Sequence, residues 1–89
     1  MSFRDNPIGH RYELLANGFL SFADYREVAG VRVIQHVETP DAARGQGLAS
    51  KLMGEIVADA KARGLKLRAS CPLAVAYFKR HPDAAVIEA

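Results

Sequence analysis

One stretch of this 89-residue chain restricts its fold more than any other. It is Arg44-Gly45-Gln46-Gly47-Leu48-Ala49, set between an alternating apolar segment and a helical stripe. Behind the glycines, Leu48, Leu52, Met53, Ile56, Val57 and Ala60 recur at the spacing of one helix face. Lys51–Glu55 and Asp59–Arg63 stand four residues apart on the outer side, and Gly64 supplies a stop. Residues 65 to 70 then alternate again. A strand, a glycine loop, a helix and a strand in that order form a crossover unit. Its helix returns right-handed, so the two strands run parallel in one sheet.

The loop also carries chemistry. The first amides of a helix have no carbonyl partners and sit at the positive end of its dipole, so they attract anions. Gly45 and Gly47 let a bulky phosphate approach the main chain, and Arg44 adds a guanidinium able to fork onto phosphate oxygens. The alternative is a tight turn ahead of a surface helix. A triphosphate cradle is excluded, because Ser50-Lys51 comes one turn into the helix and in the wrong order. The dinucleotide fingerprint fails too: Ser50 stands where its third glycine belongs, and Gly64-Leu65-Lys66 offers no acidic ribose partner.

Upstream, residues 1 to 9 read as a loose lead-in. Arg11 to Ala16 reads as a short strand, Asn17-Gly18 as a two-residue hairpin turn, and Phe19 to Val28 as the returning strand. After Ala29-Gly30, Val31 to Thr39 is the clearest strand and Pro40 ends it. Simple alternation puts Val31, Val33 and Val37 on one face and Arg32, Ile34, His36 and Glu38 on the other. Pro72 suits the first position of a second helix, running through Leu73, Val75, Ala76, Tyr77 and Phe78 to His81-Pro82. The fold class is therefore α+β, with a three-strand antiparallel meander, a crossover helix, a parallel fourth strand and a short C-terminal helix. Residues 1–89 make a single domain.

Composition narrows the function classes. A lone cysteine excludes an internal disulfide, and three scattered histidines lack metal-ligand spacing. A net charge of +2 with dispersed cations argues against nucleic acid. No apolar run reaches membrane-span length, and the N-terminus does not read as a signal peptide, so a soluble, reduced, cytoplasmic protein is expected.

These motifs, in this order, resemble the GNAT acetyltransferase superfamily. Its acetyl-CoA loop, Arg/Gln-x-x-Gly-x-Gly/Ala, is matched by Arg44, Gly47 and Ala49. The likeness is greater to its smallest members, which carry His-x-Glu-x-Pro, a glycine loop, Cys-Pro and Tyr-x-x-x-His-Pro. Here these are His36-Val37-Glu38-Thr39-Pro40, residues 44 to 49, Cys71-Pro72 and Tyr77-Phe78-Lys79-Arg80-His81-Pro82. The resemblance spans roughly residues 10 to 83. It departs at Val37-Glu38-Thr39, where the family more often reads Thr-Glu-Val.

The resemblance implies an acetyl-CoA-dependent N-acetyltransferase acting on an amine of a small molecule, a protein lysine or a protein N-terminus. The alternative is a non-catalytic acyl-CoA-binding module, or a CoA-binding subunit of a larger complex; a homodimer is compatible with either. The loop residues Arg44, Gly45, Gln46, Gly47, Leu48, Ala49 and Ser50 would bind the coenzyme A (CoA) pyrophosphate. The pantetheine arm would lie between the third and last strands. Lys79 and Arg80 would reach a phosphate, unless they answer only to the helix dipole. Cys71, at a helix N-terminus, is either an activated thiol that takes the acetyl group or contacts the CoA sulfur, or a small buried hydrophobe. Glu38 and His36 are candidate bases, or else a solvated polar pair. Tyr77 resembles the family's general acid, while its helical spacing with Phe78 also suits a core residue.

Overall fold

The computed structural model describes residues 1–43 and 45–82. It holds a five-stranded sheet in the order β1-β2-β3-β4-β5: β1 (Ser2–Asn6), β2 (Arg11–Ala16), β3 (Phe19–Val28), β4 (Val31–Glu38) and β5 (Lys66–Ala69). The first four strands are antiparallel neighbours, and β5 runs parallel to β4. Helix α1 (Leu48–Arg63) makes the crossover, and α2 (Pro72–Arg80) follows β5. No helix among the described residues is long and apolar enough to cross a membrane.

Local chemistry explains most of the element ends. Asn17 and Gly18 both take positive φ (55° and 78°), the signature of a tight hairpin turn. Gly64, at φ 69°, closes α1: its amide donates to the Lys61 carbonyl and the Leu65 amide to that of Ala60. Pro72 opens α2 where no amide is needed.

Both helices pack on one face of the sheet. Leu52, Met53 and Ile56 of α1 are fully buried against Tyr12, Leu14, Ala23 and Ile34, joined by Ala74, Tyr77 and Phe78 of α2. Burying each large apolar side chain is worth about 1.5–3 kcal/mol, so this stripe holds the crossover to the sheet.

The N-terminal segment is not a loose lead-in. It forms β1, in register with β2 from Ser2↔Leu15 to Asn6↔Arg11. Polar side chains rather than an apolar pattern secure it. On the helix side, Asp5 accepts hydrogen bonds from Tyr25 (2.5 Å), from the buried Arg32 (2.7 Å) and from Arg63 at the end of α1 (2.9 Å). On the other side, Glu13 accepts from Arg4 (2.6 Å) and Arg11 (2.8 Å). The antiparallel part therefore has four strands, and the parallel strand is the fifth.

Strand β4 also departs from simple alternation. Asp24 pairs with His36 but Tyr25 pairs with Ile34, which leaves Gln35 as an extra residue. This bulge shifts the alternation by one. Ile34 and Val37 both enter the helix-side core, whereas Val31 and Val33 pair with Val28 and Arg26 on the other side. Val37 thus parts from Val31 and Val33, while His36 and Glu38 move to the face without helices.

Candidate functional site

The bulge sits where β4 and β5 separate. Their register runs from Val31↔Lys66 to Ile34↔Ala69, and the Ile34 carbonyl then accepts the amides of both Ser70 (2.9 Å) and Cys71 (3.2 Å). Beyond that point β5 turns into α2, while β4 continues through Gln35 to Glu38 with no strand among the described residues on its β5 side. Only alternate residues of an antiparallel strand bond to a given neighbour, so the intervening main-chain groups face the opening.

A groove of about 560 Å³ occupies this opening. The end of β4 (His36 to Thr39) forms one wall, residues Gly45 and Gly47 to Ser50 another, and Leu73 of α2 closes it. Gly45 and Gly47 both lie in the left-handed region, at φ 86° and 72°. Among the described residues, no heavy atom beyond the chain neighbours lies within 4 Å of where a Cβ would stand on either glycine, so there is room beside this stretch of main chain. Gly47 caps α1 and brings no side chain to its first-turn amides. Those first-turn residues line the groove at the positive end of a 16-residue helix. The arrangement fits a phosphate-bearing carrier.

His36 and Glu38 line the groove together, both more than half exposed, with His36 Nε2 3.3 Å from Glu38 Oε1. Phe22, the cross-strand partner of Glu38, has its ring 6.3 Å from the imidazole. A second cleft of about 400 Å³, lined by Leu20, Pro40 and Asp41, shares Glu38 and Thr39 with the groove. Glu38 therefore borders both spaces.

Other sequence candidates lie elsewhere. Cys71 caps α2, is 7% exposed, belongs to the core cluster and is not among the groove-lining residues. Tyr77 is 9% exposed and also in the core; its hydroxyl lies against Gly54 of α1 and its ring stacks on His81 at 4.2 Å. Lys79 and Arg80 are exposed in the last turn of α2, away from the lining. Gln46 turns aside: its side-chain oxygen accepts from Asn17 at the hairpin tip, 3.1 Å away. Arg44 lies outside the described residues. Sequence reasoning passed over Thr39, whose hydroxyl is 3.2 Å from that of Ser21, and Leu73. Leu73 carried only a faint signal in the sequence, as an apolar residue one place after a helix-opening proline, and its exposure emerges from the structure.

Comparison with known proteins follows the same lines. A family model described as GCN5-related N-acetyl-transferase matches residues 11–87. No curated protein sequence matches the chain. Among solved structures, the NMR structure of a GCN5-like protein from Staphylococcus aureus superposes with a TM-score of 0.74 at 24% identity. The match covers 98% of this chain and 87% of that one, and it establishes a shared fold.

Proposed function

Since the chain belongs to the GCN5-related N-acetyltransferase family, we propose that it moves an acetyl group from acetyl-CoA to an amine by direct attack of that amine. The observation that carries the reading is the parting of β4 from β5 at Ile34, which opens a groove directly onto the first turn of α1.

Acetyl-CoA would supply an acetyl group activated as a thioester. The amides from Gly47 to Ser50, with the Arg44 guanidinium, would hold its pyrophosphate. The main-chain groups of Gln35 to Glu38 that point away from β3 would orient the pantetheine arm. Glu38 and His36 would remove the proton that an ammonium must lose before it becomes a nucleophile. The cleft beside Leu20 supports this division of labour, because it gives the acceptor a path to Glu38 from outside the carrier groove.

Covalent transfer through Cys71 is the less favoured route, given a thiol that is 7% exposed and outside the groove lining. A general-acid role for Tyr77 is disfavoured by its place in the core. The test is thiol release from acetyl-CoA in the presence of a panel of alkyl, aryl and peptidyl amines. Amine-dependent release with an acetylated product supports transfer. Saturable CoA binding without turnover on any amine would instead point to an acyl-CoA-binding module.

A further inference from the structure

The glycine loop has two residues in the left-handed region on either side of Gln46. Neither glycine has a side chain to pack, so the segment needs an outside constraint if its amides are to stay aimed. Beside the local bond from the Gln46 amide to the Ala43 carbonyl (3.3 Å), a side-chain contact from another element supplies it: Asn17 Nδ2 donates to Gln46 Oε1 at 3.1 Å across a separation of 29 residues. The donor sits at the tip of the β2–β3 hairpin, whose tight turn fixes the Asn17 backbone at φ 55°. The acceptor is the one loop residue from Gly45 to Ser50 that does not line the groove.

We propose that Asn17 is a positioning residue for the carrier loop. It latches Gln46 to the hairpin tip so that the Gly45 and Gly47 main chain and the first amides of α1 are preset for an anionic carrier; this rests on the carrier reading above. The turn alone does not require asparagine. Glycine or aspartate also accept the positive φ of this turn, whereas only a side chain able to bond Gln46 can form the latch.

The test separates latch from turn. Asn17→Gly keeps a Gly-Gly turn and deletes the latch, Gln46→Ala deletes it from the other side, and Asn17→Asp retains it once the Gln46 amide rotates to donate. Two readouts are needed. Hydrogen exchange of the apo protein should show the amides of residues 45–50 opening faster in Asn17→Gly and in Gln46→Ala, but not in Asn17→Asp. The KM for acetyl-CoA should rise about three- to tenfold in both deletions, the scale of one net hydrogen bond. The change in kcat should be much smaller, and the double variant should add little further. Wild-type loop exchange in a folded Asn17→Gly or Gln46→Ala protein would overturn the latch. An unchanged KM alongside faster exchange would overturn its role in carrier binding. If wild-type protein binds no CoA, the carrier reading fails instead, and the exchange data still decide whether the latch exists.

Discussion

The amide of Cys71 donates to the carbonyl of Ile34 at 3.2 Å, one residue after Ser70 has used the same acceptor. This shared carbonyl ties the head of α2 to the last residue of β4 that pairs with β5. It also holds the Cys71 side chain in the core rather than in the groove. A thiol so buried should resist thiol reagents in the folded protein and react on unfolding. Cys71→Ala should keep turnover and CoA affinity near wild type, and intact mass after mixing with acetyl-CoA should show no adduct at this residue. A one-acetyl gain at Cys71 that chases to an added amine would reinstate the covalent route.

Glu38 and His36 stand together on the lip of the groove, and both are proposed as the group that takes the proton from the amine. If one does, the transfer rate at low acceptor concentration should climb with pH and then level off. Glu38→Gln or His36→Gln should remove or move that limb while CoA affinity is kept. Rate profiles superimposing on wild type in both variants would clear both residues of that role.

Glu13 makes a separate prediction about stability. Hydrogen bonds from Arg11 and Arg4 lower its carboxyl from the ordinary 4.5 to about 2. A group whose folded pKa is depressed stabilises the fold above its unfolded value, and that contribution is lost as pH falls through the folded one. The protein should therefore lose stability between pH about 4.5 and about 2. Glu13→Gln should be less stable at neutral pH and flatter across this window in urea titrations. Asp5 works in the same direction: burial raises its pKa, but donors from Tyr25, Arg63 and Arg32 outweigh that and leave it lowered.

Arg32 is the buried centre of the helix-side polar network. It bonds Asp5 (2.7 Å), Tyr12 (2.8 Å) and Glu27 (2.9 Å), with its guanidinium 4.4 Å from the centre of the Tyr25 ring. Removing one partner of a buried ion pair leaves the other uncompensated, so Arg32→Ala should cost about 3–5 kcal/mol. Chemical denaturation checks this, and a loss under about 1 kcal/mol would mean the network is solvated in solution.

Much of this was legible in the chain. Asn17-Gly18 marked the hairpin, the Leu48 to Ala60 stripe marked α1, Gly64 its end and Pro72 the start of α2, because each depends on local backbone chemistry or on one helix face. Strand β1 was not, since Phe3 is its one large apolar residue and its partners, Glu13, Tyr25, Arg32 and Arg63, come from far along the sequence. The bulge left a trace in the adjacent polar pair Gln35-His36, three residues from Ile34 to Val37, which a strict period of two overrides. Of the site, the glycine loop and the His36–Glu38 pair were readable as motifs. For Cys71 and Tyr77 the sequence offered burial as one of two readings and could not choose, because the choice depends on how α2 settles against Ile34 and Gly54.

The central claim is that a CoA carrier lies along the opened end of β4 with its phosphates on the first turn of α1. Titrating ¹⁵N-labelled protein with CoA and following backbone amide shifts tests this most directly. The account predicts saturable shifts concentrated at Gly45 to Ser50 and at Gln35 to Thr39, with β1 and the Glu13 cluster unmoved. No shifts at saturating CoA, or shifts clustered away from both segments, would contradict it.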